Sequence, residues 1–319
     1  MSPVAAVKPI VPPRIARGHT LGVVAPAGPV KLKRLERGLR ILEDSFRVRL
    51  ADSLTAPRAG DVPSYLAASD EQRIAELTAM LADPEIRAIV LARGGYGLTR
   101  ILGQLDPDLL RRDPKPIVGF SDATALLSWA YAAGVRGIHG PMVGQLGELP
   151  PSDVVQLIEL LTEPRAPGLR PWRLVAHGTG TQHGPLVPAN LTMASMLVGT
   201  PWSLPLAGAI ALFEEVGEKP YEIDRYFTQL VLTGALGQTT AVVVGDLTRC
   251  EDQSPPSGDH DPSDAALRTI LERVASAGKP CAVGAPIGHG DRNEAVPFGA
   301  ACELDLDRGT LAILEGAVA

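Results

Sequence analysis

Short apolar runs alternate with segments of helical spacing in the first half of the chain. The runs His19–Ala25, Ile86–Ala92 and Pro116–Phe120 read as buried strands that end at glycine, proline or polar residues. Leucines at helical spacing predict a helix within Lys31–Leu50, and Asp70 is placed to cap a second helix. This alternation of strands and helices predicts an α/β fold with a doubly wound, largely parallel sheet.

The pattern weakens between Glu163 and Gly184, where proline, glycine and isolated basic residues replace the periodic apolar positions. Beyond that segment strands are again predicted between helices: strands at Ala209–Phe213, Ala241–Asp246 and Pro280–Ala285, helices at Leu191–Val198, Ile223–Leu232 and Ala265–Ala277. We therefore predict two domains, residues 1–165 and a second, smaller α/β domain over residues 166–319. Glu251–Asp264 is acidic, rich in proline and aperiodic, which is typical of a surface loop.

Composition and charge narrow the class of protein. A chain of 319 residues is long enough for two cores of ordinary size. A formal net charge of -6 without a block of Lys or Arg offers little to nucleic acid or to an anionic membrane. No apolar run approaches the ~20 residues that a membrane-spanning helix needs. We expect a cytoplasmic protein that acts on small molecules, with no nucleic-acid or membrane partner.

The cysteines and histidines do not indicate a metal site or a cofactor. Cys250, Cys281 and Cys302 are too few and too widely spaced for a disulfide framework or a zinc site, and they are expected to be buried thiols. The six histidines are equally scattered. No metal or cofactor is therefore predicted.

One serine lies at the junction of a predicted strand and a helix, in the segment Gly119-Phe-Ser-Asp122. Ser121 is open to two interpretations. Serine is a favoured N-cap residue, so it can simply begin the helix. At the carboxyl edge of an α/β sheet its hydroxyl can also serve as an acyl-transfer nucleophile, although the G-x-S-x-G signature of hydrolases is absent.

A glycine-rich turn, Arg-Gly-Gly-Tyr-Gly at 93–97, directly follows the strand Ile86–Ala92. Glycines at this position can offer backbone N–H groups to an anion. A phosphate cradle, an oxyanion hole and a purely structural turn are all compatible with the pattern. The spacing matches neither a dinucleotide fingerprint nor a P-loop.

Acidic and imidazole groups follow two predicted strands of the second half. Glu214 and Glu215 end an apolar run, and strand alternation allows only one of them to enter a given cleft. His289 lies between two glycines after the strand Pro280–Ala285, a position suited to a general base. His139, before Gly-Pro-Met, is a weaker candidate for the wall of a cleft.

Taken together, these motifs resemble the LD-carboxypeptidase family of serine peptidases, which also contains the microcin C self-immunity peptidases. The resemblance extends to VAPAGPV at 24–30, YLAASDEQRIAEL at 65–77 and HGPM at 139–142, and it covers nearly the whole chain. Order and spacing agree throughout. The pairing of Arg-Gly-Gly-Tyr-Gly with Gly-x-Ser-Asp is specific.

The resemblance implies a Ser–Glu–His triad at Ser121, Glu214 and His289, in an active site between the two domains. His289 would take the Ser121 proton, Glu214 would orient the imidazole, and Ser121 would form an acyl-enzyme. The choice of Glu214 over Glu215 rests on this match alone. Backbone N–H groups of Asp122 and of the Gly94–Gly95 turn would form the oxyanion hole.

The family also suggests the substrates. Typical members remove the terminal D-alanine from a murein tetrapeptide during cell-wall recycling, and the immunity members cleave peptidyl or aspartyl adenylates. Trp172 could stack on an adenine, or it could anchor the interdomain segment. Candidate substrate-binding residues are Arg93, Tyr96, Asn190 and Arg225.

Two further expectations follow the resemblance. The family commonly forms homodimers, so a homodimer that binds a small peptide or muropeptide is expected. The segment Pro188-Ala-Asn-Leu191 departs from the family's Gly-Gly-Asn-Leu, which puts close backbone approach of substrate there in question. A non-catalytic ligand-binding protein is the alternative from another class, and occupied triad positions argue against it.

Overall fold

Two β-sheets with flanking helices form the protein in the computed structural model, which describes residues 9–252 and 264–319. The strands are β1 Thr20–Val24, β2 Arg47–Leu50, β3 Ile86–Leu91, β4 Ile117–Gly119, β5 Ile138–His139, β6 Gly168–Leu169, β7 Val175–His177, β8 Thr181–Asn190, β9 Ile210–Val216, β10 Ala241–Thr248, β11 Cys281–Val283, β12 Val296–Pro297, β13 Ala300–Asp305 and β14 Thr310–Ile313. The helices are α1 Leu32–Glu43, α2 Asp70–Ala82, α3 Pro107–Arg112, α4 Thr124–Ala132, α5 Val143–Leu146, α6 Pro151–Thr162, α7 Leu191–Met196, α8 Pro220–Leu232 and α9 Ala265–Ser276. Nearly all of the predicted loop Glu251–Asp264 lies outside the described residues.

The first sheet has the strand order β12-β5-β4-β3-β1-β2. Strands β1 to β5 are parallel, and only β12 at one edge is antiparallel. The central strands are buried on both faces, as parallel strands covered by helices must be. This confirms the predicted largely parallel α/β sheet.

The second sheet has the order β6-β14-β13-β8-β9-β10-β11-β7. Its centre, β8 to β11, is parallel, whereas β7 and the β13–β14–β6 side are antiparallel. The Glu163–Gly184 segment is therefore more structured than its composition suggests. It supplies two short edge strands, β6 and β7, and the start of β8.

Two local predictions were wrong. The helix predicted within Lys31–Leu50 ends at Glu43, and Arg47–Leu50 is instead the edge strand β2, because its side chains alternate between exposed and half-buried. Asp70 is not the cap of α2. Ser69 holds that position, and its Oγ accepts the backbone N–H of Gln72.

The two halves of the chain are joined by a strand pairing and by a common apolar core. The two-residue strand β12 belongs to the C-terminal half but pairs with β5 in the first sheet. One apolar core contains side chains from both halves, among them Phe120, Trp129, Phe213 and Phe298. The domain boundary at residue 165 stays a prediction.

No helix in the two described ranges combines the length and the apolar character needed to cross a bilayer.

The three cysteines are buried free thiols, as expected from the sequence, and burial raises the pKa of each to about 12.

Candidate active site

Ser121 lies where β4 ends and the chain enters α4 through a single tight turn. Its φ is +62°, in a region that residues with a side chain rarely adopt. Its hydroxyl makes no hydrogen bond within the described chain, so Ser121 does not act as a helix cap. A strained serine between a buried strand and a helix has the geometry of a nucleophile elbow, with its hydroxyl exposed above the sheet.

Gly94 lies directly against Ser121. A Cβ atom at position 94 would sit 3.3 Å from Ser121 Oγ and 3.4 Å from the backbone nitrogen of Asp122. The turn and the first N–H of the helical segment therefore border the same small space next to the hydroxyl. An oxyanion hole built from backbone donors needs such proximity of the turn to the hydroxyl.

The side chain of Asp122 fixes this turn. Its buried carboxylate accepts the backbone N–H of Leu98 at 3.0 Å, which ties the end of the glycine turn to the serine segment. Burial raises the pKa of Asp122. Gly95, with φ +108°, packs against Gly28, whose N–H donates to the Gly94 carbonyl.

Glu214 and His289 form a pair across the second sheet. Glu214 Oε2 on β9 lies 2.7 Å from His289 Nδ1, in the loop after β11. The carboxylate is fully buried and the imidazole is 20% exposed. Burial alone lowers the pKa of His289, but the negative charge and the hydrogen bond of Glu214 outweigh it, and the net pKa is raised.

The glycines beside His289 allow this approach. A Cβ at Gly288 would lie 2.7 Å from Cβ of Asp246 and 3.2 Å from Cβ of Glu214. At Gly290 it would lie 2.8 Å from Oδ1 of Asp246. A larger residue at either position would force Asp246 or the histidine loop to shift.

Glu215 turns to the other side of β9, as strand alternation predicts. Its carboxylate accepts hydrogen bonds from the Asn190 amide and from the backbone N–H and hydroxyl of Thr192. Burial, followed by the nearby charge of Glu214, raises the pKa of Glu215. Glu215 thus joins β9 to the start of α7, and Glu214 alone reaches His289.

Phe120 connects the serine segment with the histidine. The Phe120 ring centroid lies 4.6 Å from that of His289 and 5.9 Å from that of His139. His289 therefore packs against the residue that precedes Ser121, and no hydrogen bond joins Ser121 to His289 in this structure. His139 is fully buried, and burial lowers its pKa to about 3, so it lies beneath the site as a neutral ring.

The predicted substrate-binding residues lie at three places in the structure. Arg93 and Tyr96 are exposed on the glycine turn, with Tyr96 packed edge-on against Tyr65 at 5.7 Å. Asn190 is buried: its Oδ1 caps α7 at Met193 and its Nδ2 donates to Glu215. Arg225 is exposed on α8, with its guanidinium over the ring of Tyr221.

Four polar residues support the histidine loop and were missed in the sequence. Asn293 Oδ1 accepts the N–H of Gly288, and Asn293 Nδ2 donates to Gln145 in the first half. Asp153 on α6 accepts the backbone N–H of Asn293 and pairs with Arg292. Nothing in Asp-Arg-Asn-Glu at 291–294 distinguishes this segment from an ordinary polar loop, because its partners Gln145 and Asp153 lie more than a hundred positions away.

The assembled groups are of the types that acyl transfer uses. They comprise a serine in a strained turn, an imidazole paired with a buried carboxylate, and the backbone nitrogen of Asp122 next to the Gly94 turn. Within residues 9–252 and 264–319, no three His, Cys, Asp or Glu side chains come together as metal ligands.

Comparisons with known proteins identify the family. Residues 21–140 match the LD-carboxypeptidase N-terminal domain and residues 183–304 match the LD-carboxypeptidase C-terminal domain. The chain is 31% identical to the murein tetrapeptide carboxypeptidase of Pseudomonas aeruginosa, over 90% of this chain and 94% of that protein. It is 32% identical to a Bacillus subtilis protein named "Probable murein peptide carboxypeptidase", over 96% and 94% of the two chains.

The fold also resembles that of a solved structure of MccF in complex with glutamyl sulfamoyl guanosine. The TM-score is 0.84 at 22% identity, covering 98% of this chain and all of that one, and this likeness concerns the fold alone. Two matched domains and the relatives above 30% identity give a firm assignment: the chain belongs to the LD-carboxypeptidase family.

Proposed function

We propose that this protein is a serine-type LD-carboxypeptidase that releases the terminal D-alanine from murein tetrapeptides. The observation that carries the proposal is the 2.7 Å Glu214–His289 pair, opposite a serine whose backbone is held at positive φ beside Gly94. The murein names of the two relatives support the choice of substrate. A role in cell-wall recycling in the cytoplasm, as a homodimer, belongs to the same proposal.

In the proposed mechanism, His289 Nε2 accepts the Ser121 proton as Oγ attacks the carbonyl carbon of the L-to-D amide bond. Glu214 stabilises the imidazolium that forms. The oxyanion is stabilised by the N–H of Asp122 and by the Gly94–Gly95 turn, and losing one such donor typically costs ~3–4 kcal/mol of transition-state stabilisation. The imidazolium then protonates the leaving amine, and water hydrolyses the acyl-enzyme.

Cleavage of an aminoacyl adenylate is the second candidate, and the likeness to MccF is what favours it. In the sequence, adenylate cleavage depended on Trp172 as a residue that could stack on an adenine, but in the structure Trp172 is not free to do so. Trp172 is 5% exposed, and its indole N–H donates to Glu294 at 2.8 Å. This position supports the anchoring role of Trp172, and the murein substrate is the stronger proposal.

The test offers the purified protein a murein tetrapeptide and aspartyl sulfamoyl adenosine side by side, and follows release of D-alanine and of the nucleoside product. We expect D-alanine release by the native chain and a loss of at least ~10³-fold in kcat for Ser121→Ala. Ser276→Ala, at the exposed end of α9, is the control and should keep full activity. Turnover by Ser121→Ala equal to that of the native chain would overturn the triad, and cleavage of the adenosine compound alone would overturn the murein substrate.

A further inference from the structure

A cavity of about 230 Å³ lies between the glycine turn and the start of α1. Its polar wall is formed by Lys31, Arg34, Arg93 and Gln145. It is smaller than the ~300–1,000 Å³ of most small-molecule sites, so it suits one part of a substrate rather than a whole one. No Asp or Glu is among its lining residues.

More cationic side chains than carboxylates surround this cavity. Glu148 is the carboxylate that Arg34 pairs with, and Arg37 shares it. Lys31 Nζ has no hydrogen-bond or ion-pair partner within the described chain. Arg93 donates Nη1 to the Pro29 carbonyl at 2.7 Å, and its remaining N–H groups bond no described protein atom. In a protein of net charge -6, a cluster of four cations that share one carboxylate points to an anionic ligand.

The cavity adjoins the reacting groups on two sides. Arg93 is the residue before Gly94, so one wall lies within a single residue of the space beside Ser121 Oγ. Gln145, on the wall formed by α5, accepts a hydrogen bond from Asn293, which in turn holds the N–H of Gly288 beside His289. A group bound here is therefore next to the oxyanion turn and is linked by hydrogen bonds to the histidine loop.

We propose that this cavity is a carboxylate-binding subsite in which Arg93 and Lys31 bind a free carboxylate of the substrate. The inference rests on the proposed function and extends it to substrate recognition. A murein tetrapeptide offers two such groups: the carboxylate of the terminal D-alanine, one carbon from the scissile nitrogen, and the distal carboxylate of the third residue when that residue is diaminopimelate. Charge-assisted hydrogen bonds from a guanidinium and an ammonium suit either group.

The experiment measures kcat/KM for three peptides: the tetrapeptide with lysine as third residue, its D-alaninamide analogue, and the tetrapeptide with diaminopimelate. The variants are Lys31→Ala, which breaks no protein contact, and Arg93→Lys, which keeps a charge at the turn. Lys33→Ala, an exposed lysine of α1 that does not line the cavity, is the matched control.

We expect Lys31→Ala and Arg93→Lys to raise KM for a carboxylate substrate about tenfold to hundredfold, the effect of losing a charge-assisted hydrogen bond. If the D-alanine carboxylate is bound, the lysine tetrapeptide is affected and its amide is not. If the distal carboxylate is bound, only the diaminopimelate peptide is affected. Unchanged KM values for all three peptides in both variants would overturn the subsite and leave the proposed function standing.

A failure of the proposed function looks different, because the native chain then cleaves none of the peptides. In that event the subsite is tested by calorimetric titration of the lysine and diaminopimelate tetrapeptides into Ser121→Ala protein with and without Lys31→Ala. Binding of either peptide that weakens tenfold or more on removal of Lys31 supports the subsite. No binding, or binding indifferent to Lys31, overturns it.

Discussion

The backbone conformation of Ser121 costs free energy that the fold itself does not require. A non-glycine residue at φ +62° costs on the order of 1–2 kcal/mol, and glycine would remove that cost. The Ser121 hydroxyl makes no hydrogen bond in the described chain that could offset this cost. Strain held at a residue whose side chain makes no hydrogen bond is typical of a functional position, where it keeps the hydroxyl clear of the sheet.

The Glu214–His289 pair predicts a pH dependence. His289 must be neutral to act as a base, and Glu214 raises its pKa above the ordinary 6.5. We therefore expect kcat/KM to rise with pH through an apparent pKa above 6.5. In Glu214→Gln the negative charge is gone, so this limb should move to lower pH while kcat falls on the order of 10³–10⁴-fold.

The measurement is the pH profile of kcat/KM for both proteins. Glu303→Gln is the matched control, because Glu303 also faces a histidine, His183, at 3.8 Å on the exposed surface. It should leave both the rate and the profile unchanged. A limb at the same pH in the native chain and in Glu214→Gln would contradict the assigned role of Glu214.

At the scale of elements, the loop after β11 depends on a few buried polar contacts. Asn293 is fully buried, and its side chain joins Gly288 to Gln145 of α5. Its backbone N–H donates to Asp153 of α6. Helices of the first half therefore support the loop that carries the histidine of the second half.

Asn293→Ala should reduce kcat with little change in KM, because Asn293 positions the loop and is not expected to touch substrate. The unpaired Gly288 N–H should also cost about 1–3 kcal/mol of stability. Gln156→Ala is the comparison: Gln156 Nε2 donates to the Ala295 carbonyl, beyond the loop, and its loss should leave kcat unchanged. The two variants are compared by steady-state kinetics and urea unfolding, and a KM effect larger than the kcat effect would argue against a positioning role.

Elements with a continuous buried face could be predicted from the sequence, and elements defined by their partners could not. Strands β1, β3 and β4 follow from their apolar runs, and the Glu214–His289 contact agrees with the triad that the family resemblance implied. The edge strand β2 and the two-residue strand β12 gave no such signal, because each is recognisable only through the strand it pairs with. The φ of Ser121 and the role of Asn293 likewise depend on distant packing.

At the scale of the whole molecule, the two halves share one apolar core. Their shared core includes Trp129 from the first half and Phe213 and Phe298 from the second. Ser128 Oγ also donates to the Trp202 carbonyl at 2.8 Å across the same contact. Separating the halves would expose these apolar side chains to water, which is unfavourable at about 25 cal/mol per Å².

We therefore expect a single unfolding transition in urea, with far-UV circular dichroism and near-UV tryptophan signals changing together. A fragment of residues 1–165 should lack a cooperative transition, since it has neither β12 nor its share of the common core. Two separated transitions in the full chain, or cooperative unfolding of the fragment, would show instead that the halves fold independently.

The edge strand β12 has a consequence for exchanging parts between relatives. Strand β12 begins seven positions after His289. It pairs with β5 in the first sheet, whose strand β4 leads into Ser121. A chimera joined near residue 165 would insert a foreign Val296–Pro297 strand into a host sheet and set a foreign Asn293 against the host's Gln145 and Asp153. Recombination between family members should thus succeed only when residues 288–297 are taken from the same parent as α5 and α6.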